Sequence, residues 1–247
     1  MKLFVLAFLV TTLLQAQTIT IAVAANVSYA IKELKTAFLK THPDTHVQVI
    51  LGSSGKLTAQ IKNGAPYGLF MSANMKYPEA LYADKIALNS PVVYAKGGLA
   101  FLSVTPRDFS QGMALLNSKN IRKIAVANPK TAPYGVATMT ALKNAKLYDV
   151  LKKKFIYGES ISQTVSYAVV AADIGIIAKA SLFSAKMKKY QEGVHWKTVD
   201  TQFYTPISQG IVLLQKSQKS SEYQAFYDFI LSPEAKIIFK KYGYLVS

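Results

Sequence analysis

The sequence predicts an α/β protein made of two domains with a cleft between them. Strand-like apolar runs alternate with helix-like segments and are joined by short loops, which is the pattern of α/β folds. Several of these runs are apolar at consecutive positions, as in parallel strands that are buried on both faces. The two halves of the chain share this pattern, so we expect one sheet with its helices in each half.

The first 16 residues predict a secretory signal peptide. Lys2 provides a short positive start, residues 3–14 are apolar apart from two threonines, and Ala16 is the small residue after which we place cleavage. The apolar run is too short to be a transmembrane helix. We therefore expect an exported protein that is soluble in the periplasm or outside the cell.

The first half of the remaining chain predicts three strands, two of them followed directly by a helix. Residues 18–25 are apolar after a polar start and predict a strand, and residues 28–38 have the apolar spacing of a helix. Residues 47–50 predict the second strand, residues 57–62 the helix after it, and residues 69–74 a third short strand. Because strand ends line the ligand crevice of open α/β sheets, the small and uncharged residues after these strands are site candidates.

The segment 51–57, Leu-Gly-Ser-Ser-Gly-Lys-Leu, is the strongest of these candidates. A helix that starts after glycines and serines offers free N–H groups and a favourable dipole to an anion, and the glycines let the backbone come close. The alternative is an ordinary helix cap, since serine is a favoured capping residue. A nucleotide P-loop is excluded, because Ile50 and Leu57 stand where that motif needs Gly and Ser or Thr.

The second half predicts a similar series of elements and a helical C-terminus. The predicted helices are residues 136–146 and 162–170, and residues 221–242 predict two helices broken at Ser232-Pro233. Extended crossings near residues 91–94 and 204–209 would join the domains. We therefore place the first lobe at residues 17–91 plus 206–247 and the second at residues 92–205. One strand is predicted to begin at residues 90–94. The other predicted strands lie at residues 99–103, 124–129, 155–157, 174–178 and 210–214.

Composition limits the function classes. The 247 residues, 51% of them hydrophobic, can bury a substantial core, and the absence of cysteine excludes disulfides, zinc ribbons and thiol catalysis. The formal net charge of +16 suggests a nucleic-acid or membrane partner. However, the lysines are scattered singly or in short clusters without interleaved aromatic residues. We therefore expect a solvated surface that steers small anions, and no nucleic-acid binding.

Seven short motifs, each weak alone, are fairly specific in their order and spacing. They are Val23-Ala24-Ala25-Asn26, Gly52-Ser53-Ser54-Gly55-Lys56-Leu57, Gln60-Ile61 with Gly64-Ala65-Pro66, Phe70-Met71-Ser72-Ala73, Asn128-Pro129 with Pro133-Tyr134-Gly135, Gly158-Glu159-Ser160-Ile161 and the closing residues 239–244. From about residue 19 to the C-terminus, they resemble the periplasmic molybdate-binding proteins of molybdate ABC importers. This resemblance implies the type II periplasmic-binding-protein fold, with two mixed-sheet lobes joined by two crossover segments, and no enzymatic activity.

The resemblance also implies the site and the partners. Its oxyanion ligand, molybdate or tungstate, would be held by the side chain of Asn26, the hydroxyl of Ser54 and the backbone amides of Ala73, Tyr134 and Ile161. No cofactor and no direct metal-ion ligand are implied. The implied partners are the small oxyanion and the membrane permease of the importer, and we expect a monomer in the periplasm.

Two positions depart from the family pattern. Asn26 stands where a serine is usual, and its side-chain NH2 group can donate in the same role. Ala178 aligns with a tyrosine that some members use for the ligand, so that hydroxyl is missing. Either the site has one donor fewer, or a nearby hydroxyl replaces it, for which Ser162 and Tyr204 are candidates.

The donor chemistry favours an oxyanion without a proton. Molybdate has only acceptor oxygens, whereas hydrogen phosphate would need an acceptor, and the only acid in the site turns is Glu159. Sulfate is also free of protons and remains an alternative. A secreted hydrolase with Ser54 as nucleophile would need a positioned histidine, which no motif supplies. An amino-acid receptor would need an arginine, and Arg107 and Arg122 lie outside the site turns.

Overall fold

The structure, a computed structural model, describes residues 17–246. The predicted signal peptide lies outside these residues. The strands are β1 (Gln17–Ala24), β2 (Thr45–Gly52), β3 (Leu69–Met71), β4 (Val92–Gly97), β5 (Leu99–Leu102), β6 (Ile124–Ala127), β7 (Phe155–Gly158), β8 (Ile174–Ala178), β9 (Trp196–Thr198) and β10 (Ile207–Leu213). The helices are α1 (Ile31–Leu39), α2 (Ser54–Lys62), α3 (Lys76–Ala83), α4 (Pro133–Asn144), α5 (Tyr148–Leu151), α6 (Ile161–Val170), α7 (Ser221–Leu231) and α8 (Pro233–Lys241).

Sheet I has the strand order β2-β1-β3-β10-β4. β1 lies parallel to β2 and β3, because helices return the chain to the same edge after each strand, whereas β10 is antiparallel to β3 and β4. The register pairs Ala24 with Gly52 and Val23 with Met71. The residues that follow β1, β2 and β3 therefore meet at one edge of the sheet.

Sheet II has the order β7-β6-β8-β5-β9 and the same mixed character. β6 is parallel to β7 and β8, and β5 runs antiparallel to β8 and β9. Ala127 pairs with Gly158, so the turns that lead into α4 and α6 also share one edge. The prediction of two mixed sheets, one in each half, is confirmed.

The sheets divide the chain differently from the predicted lobe boundary. The sequence places residue 92 at the start of the second lobe, but β4 hydrogen-bonds to β10 and belongs to sheet I. The chain passes from sheet I to sheet II at Gly97-Gly98, where β4 ends and β5 begins after one residue. We propose this pair as the first crossover, with the second between the turn Thr201–Phe203 and β10.

The hydrophobic cores explain why the lobes are stable and how they meet. In the first lobe, α1 and α7 pack through Phe38 and Phe226, whose rings meet edge to face at 5.0 Å. The core of the second lobe also includes Ala25 and Ala73 from the edge of sheet I. The two lobes therefore touch along the edges where their site turns lie. Between residues 17 and 246 no helix is both long and apolar enough to cross a membrane.

Candidate functional site

A small cavity lies between the two facing sheet edges. The first lobe contributes Ala24, Ala25, Asn26, Ser53, Ser54 and Ala73 to its lining, and the second lobe contributes Ala132, Pro133, Tyr134 and Ile161. All five residues that the sequence singled out are therefore brought together. The cavity volume is about 10 Å³, room for roughly one water molecule, and every lining side chain is uncharged. The lining suits a small ligand that is recognised by neutral groups.

Ser54 is fully buried as the first residue of α2. Its Oγ accepts a hydrogen bond from the backbone N–H of Ala73 at 2.9 Å. Because a hydroxyl has one proton and two acceptor positions, this bond leaves the Ser54 proton for an acceptor in the cavity. The sequence predicts that the Ala73 amide donates directly to the ligand, whereas in the structure this amide supports the Ser54 hydroxyl.

Ser53 also lines the cavity, although the sequence motifs did not assign it to the ligand. It precedes α2 in the N-cap position, yet its side chain makes no capping bond. The Ser53 Oγ is buried and has no hydrogen-bond partner among the described residues. Burying an unpaired hydroxyl is unfavourable, so this group is available to a ligand. The adjacent serines of the motif were the signal that pointed to it.

Tyr134 and Ile161 bring two helix N-termini to the cavity. Tyr134 is the second residue of α4 and Ile161 the first residue of α6. Backbone N–H groups in the first turn have no acceptor inside their own helix, and the helix dipole favours negative charge there. Gly135 allows this arrangement, since a Cβ at its position would collide with the carbonyl oxygen of Ala127 on β6.

Asn26 is fully buried, but its amide faces the opposite way from the predicted one. The sequence predicts that its NH2 group donates to the ligand. In the structure, Nδ2 donates to Gln209 Oε1 at 2.8 Å and to the Tyr244 hydroxyl at 3.0 Å, so both of its protons are used. The Asn26 Oδ1 is buried and is left without a partner in the part of the chain described here.

Gln209 connects Asn26 to both lobes and was not identified from the sequence. Its Oε1 accepts from the Tyr94 hydroxyl at 2.8 Å, and its Nε2 donates to the Tyr134 hydroxyl at 3.2 Å. Burial raises the pKa of Tyr94 and of Tyr134 well above the ordinary value, so both hydroxyls keep their protons at neutral pH. Nothing local in the sequence marks this glutamine, because its burial arises only when β10 enters sheet I.

Three further contacts join the lobes around the cavity. The N–H of Gly55 donates to the carbonyl of Thr131 at 2.9 Å, and the Ser162 hydroxyl donates to the carbonyl of Ala25 at 2.8 Å. The glycine of the serine motif therefore allows a close approach to the opposite lobe. These contacts describe a closed arrangement of the two lobes.

Lys56 forms the third contact, a salt bridge of 2.6 Å to Glu159. The sequence left open whether this lysine acts near the anion or is solvated. In the structure both side chains are about half exposed, and the Lys56 ammonium lowers the pKa of the Glu159 carboxyl. The acid of the site turns is thus paired outside the cavity and adds no negative charge to its lining.

The two candidates for the missing tyrosine hydroxyl do not line the cavity. Tyr204 accepts a bond from the Leu99 N–H at 2.8 Å, and Ser162 is used between the lobes. Ala178 ends β8 and is fully buried. Of the hydroxyls that the sequence motifs supply, Ser53 is the one that lines the cavity with no partner.

The alternative chemistries find no support around the cavity. None of its lining residues is a histidine or an arginine, so Ser54 has no base within the set. His42 stacks on Phe38 at the surface, and Arg107 donates to the Ser103 hydroxyl on the far side of sheet II. Within the described chain, no group of three or more His, Asp or Glu side chains could hold a metal ion.

Comparison with known proteins places this geometry in a family. Residues 19–245 match the sequence model described as bacterial extracellular solute-binding protein. The chain belongs to this family. The solute-binding protein is 33% identical to the molybdate-binding protein ModA of Azotobacter vinelandii over 234 residues, which cover 93% of this chain and 90% of the relative. It is also 33% identical to ModA of Rhodobacter capsulatus over 226 residues, or 91% and 86% of the two chains.

A solved structure agrees with these sequence relationships. The periplasmic molybdate-binding protein of Azotobacter vinelandii superimposes on this solute-binding protein with a TM-score of 0.84 and 31% identity. The match covers 93% of this chain and 99% of that one. The two-lobed fold of periplasmic binding proteins, which the motifs implied, is therefore confirmed.

Proposed function

We propose that this solute-binding protein captures molybdate outside the cytoplasm and delivers it to an ABC importer. The observation that carries the proposal is the single cavity in which Asn26, Ser54, Ala73, Tyr134 and Ile161 meet from both lobes. The relatives that are about one third identical over nearly the whole chain are named as molybdate-binding proteins, which supports the same ligand here.

The chemistry of the lining supports a small dianion without protons. The Ser53 and Ser54 hydroxyls and the first-turn amides of Tyr134 and Ile161 can all donate, and no carboxylate faces them. A hydrogen bond to a charged oxygen contributes roughly 1.5–3 kcal/mol by mutational estimates, so several neutral donors suffice without an arginine. Two helix N-termini from the second lobe and one from the first add favourable dipoles.

Closure of the lobes is the second part of the proposal. The ligand would bridge hydroxyls of the first lobe and amides of the second, and so favour the closed arrangement that the Gly55–Thr131 and Ser162–Ala25 bonds describe. A closed, loaded protein has a shape that differs from the open one, which is what a membrane permease needs to recognise. We also propose a periplasmic location, as the name of the Azotobacter vinelandii relative supports, a monomeric state and no catalytic role.

Tungstate and sulfate are the other ligands that this lining could accept. Both are tetrahedral and lack protons, so the donor set does not separate them from molybdate. We propose that tungstate binds as molybdate does, and that sulfate, with its shorter bonds, contacts fewer donors at once. Phosphate carries a proton at neutral pH and would need an acceptor, and among the lining side chains described the unpaired acceptor is Asn26 Oδ1.

Isothermal titration calorimetry tests the proposal. The chain without residues 1–16 is titrated with molybdate, tungstate, sulfate and phosphate at neutral pH. We expect one molybdate per chain and a much weaker response to sulfate and phosphate. At a concentration 100 times the dissociation constant, binding stabilises the folded protein by about 2.7 kcal/mol, which raises the melting temperature by roughly 5–10 °C.

Two variants make this experiment specific. Ser54→Ala removes a lining hydroxyl and should weaken molybdate binding at least tenfold. Ser221→Ala removes an exposed hydroxyl that bonds Glu222, and should leave binding unchanged. The proposal is wrong if the unmutated protein ignores molybdate and tungstate but binds sulfate, or if both serine variants bind equally well.

A further inference from the structure

Two buried amides behind the cavity admit two arrangements of hydrogen bonds with the same atom positions. In the structure, Asn26 Nδ2 donates to Gln209 Oε1 and to the Tyr244 hydroxyl, and Asn26 Oδ1 is left without a partner. The hydroxyl of Tyr134 accepts from Gln209 Nε2, and its own proton has no acceptor among the described residues. This arrangement therefore leaves two buried polar functions unsatisfied.

A half-turn of both amides gives Asn26 Oδ1 and the Tyr134 proton their partners, and leaves the Asn26 NH2 group as the one without a protein partner. Gln209 Nε2 then donates to Asn26 Oδ1 and to the Tyr94 hydroxyl, across the two separations of 2.8 Å. The Tyr94 proton keeps its acceptor, the carbonyl of Ser72 at 3.2 Å. Tyr134 donates to Gln209 Oε1, and the Tyr244 hydroxyl keeps its bond to the backbone carbonyl of Asn26 at 2.9 Å. Exchanging nitrogen and oxygen in an amide hardly moves either atom, so no backbone change is needed.

The half-turn also changes what the cavity offers to a ligand. With Asn26 rotated, its NH2 group replaces Oδ1 on the side that has no protein partner. An oxyanion without protons would gain a donor there, whereas the arrangement in the structure would place an acceptor oxygen against it. Because Gln209 must present Nε2 to Asn26 for this to happen, the two amides rotate together.

We propose that Gln209 is a positioning residue that sets the orientation of the Asn26 amide and so makes the cavity a site of donors only. In the complex with a proton-free oxyanion, both amides are turned by half a turn from the arrangement described above. This inference rests on the proposed function. It names a residue on β10 that does not line the cavity and acts on the ligand through Asn26.

The position of Gln209 links this orientation to the crossovers. The pairing of β10 with β4 shifts register between Gln209 and Gly210, and β10 follows the second crossover. At the first crossover, a Cβ on Gly97 would collide with both the Tyr134 hydroxyl and Gln209 Nε2. The amide pair is therefore packed against both chain connections, and through Tyr134 it touches the second lobe.

A double-mutant cycle on molybdate affinity tests the positioning role. Gln209→Met keeps a similar volume but can neither donate nor accept, so Asn26 loses the group that orients it. Asn26→Ser supplies a hydroxyl, which rotates freely and needs no such partner. We expect Gln209→Met to weaken binding at least tenfold beside Asn26 and less than threefold in the Asn26→Ser background. The surface variant Gln224→Met is the matched control, since Gln224 bonds only Asp228 on α7, and should bind as the unmutated protein does.

The outcomes of the cycle separate the possible failures. An equal loss in both backgrounds would mean that Gln209 only supports the fold, and would overturn the inference while the proposed function stands. If the unmutated protein binds neither molybdate nor tungstate, the proposed function fails and the inference fails with it.

Neutron diffraction of the unmutated, deuterated protein with molybdate gives a direct test that needs no variant to fold. We expect the deuterium atoms of Asn26 on the cavity side and those of Gln209 toward Asn26 and Tyr94. Deuterium atoms of Asn26 that still face Gln209 in the complex would overturn the inference. Crystals of the ligand-free protein serve as the comparison.

Discussion

Gly55→Ala separates closure of the lobes from stability of the folded chain. Gly55 is the second residue of α2, and its backbone has no positive φ, so alanine fits the helix. A Cβ at this position would lie 2.9 Å from the carbonyl oxygen and 3.0 Å from the Cα of Thr131, which belongs to the second lobe. It would also lie 2.7 Å from the Tyr77 hydroxyl, a side-chain end in the first lobe.

The cost of closure can be worked out from these distances. An ordinary contact of a Cβ begins near 3.4 Å, so the lobes would have to move apart by several tenths of an ångström. This movement weakens the Gly55–Thr131 hydrogen bond, worth about 1 kcal/mol, and overpacking adds roughly 1 kcal/mol or more. A loss of about 2 kcal/mol in the closed form corresponds to a roughly thirtyfold increase in the dissociation constant for molybdate.

The open protein should not share this loss. Alanine is favoured over glycine in a helix, so the free energy of unfolding without ligand should stay the same or rise by up to about 1 kcal/mol. Calorimetry gives the affinity, urea unfolding the stability, and small-angle X-ray scattering the contraction on binding. Gln60→Ala, on the same helix and exposed, is the control and should bind normally.

Two results would refute this reasoning. A dissociation constant within threefold of the unmutated protein would show that the lobes do not approach at Gly55 in the bound state. If Gly55→Ala instead lowers the stability of the ligand-free protein, and Tyr77→Phe restores affinity, the conflict lies within the first lobe. We expect no such rescue, because the backbone of Thr131 cannot move aside as a side-chain end can.

Three further variants follow from the same geometry. Ser53→Ala removes a buried hydroxyl without a partner, so we expect equal or higher stability without ligand in thermal melts but about tenfold weaker molybdate binding in calorimetry. Lys56→Met breaks an exposed ion pair and should weaken binding by less than about fivefold, with a smaller effect at high salt. Because Lys56 lowers the pKa of Glu159, the ion pair persists above the ordinary carboxyl pKa and is lost only in more acid solution. The affinity of the unmutated protein should therefore not change with pH between about pH 6 and 8 through this pair. Gly97→Ala should weaken both binding and stability, the latter by roughly 1–3 kcal/mol in urea unfolding, since its Cβ meets two buried polar groups.

Local sequence signals were enough to predict elements that have a continuous apolar run or that begin at a residue such as proline. β1 is buried from Ile21 to Ala24, so its apolar run marks it without reference to the rest of the fold. The break between α7 and α8 follows from Pro233 at the first position of a helix. The turns after the strands could be assigned to one site because parallel strands bring their ends to the same edge.

Features that depend on distant pairing, such as the existence of β9 and the sheet to which the predicted strand β4 belongs, could not be found in this way. β9 has three residues and exists because it pairs with β5, and β4 joins sheet I only because β10 lies beside it. α3 was not predicted, because Pro78 is typical of a helix break. In the structure this proline lies in the first turn of the helix, where a missing N–H does not matter. For β4 and β9 the deciding contact lies far away in the chain.

The candidate site shows the same division between position and orientation. The sequence could place Asn26 at the cavity, since a strand and a turn fix where its backbone lies. It predicted that the NH2 group faces the ligand, whereas in the structure Nδ2 donates to Gln209, a partner more than 180 residues later in the chain that no local pattern marks. The role of Gly55 was likewise visible only in part: its close approach was expected to serve the anion, but in the structure it serves Thr131.

The charge of the protein and the neutrality of its cavity fit together physically. The surface carries a formal net charge of +16, while every side chain that lines the cavity is uncharged. Charged surface groups act at long range and are screened by salt, whereas buried donors act only in contact. The first should therefore set how fast an oxyanion arrives and the second how long it stays. A charged residue in the cavity would add affinity for any anion, whereas neutral donors such as the Ser54 hydroxyl, which the Ala73 amide supports, would favour an anion that has no proton of its own.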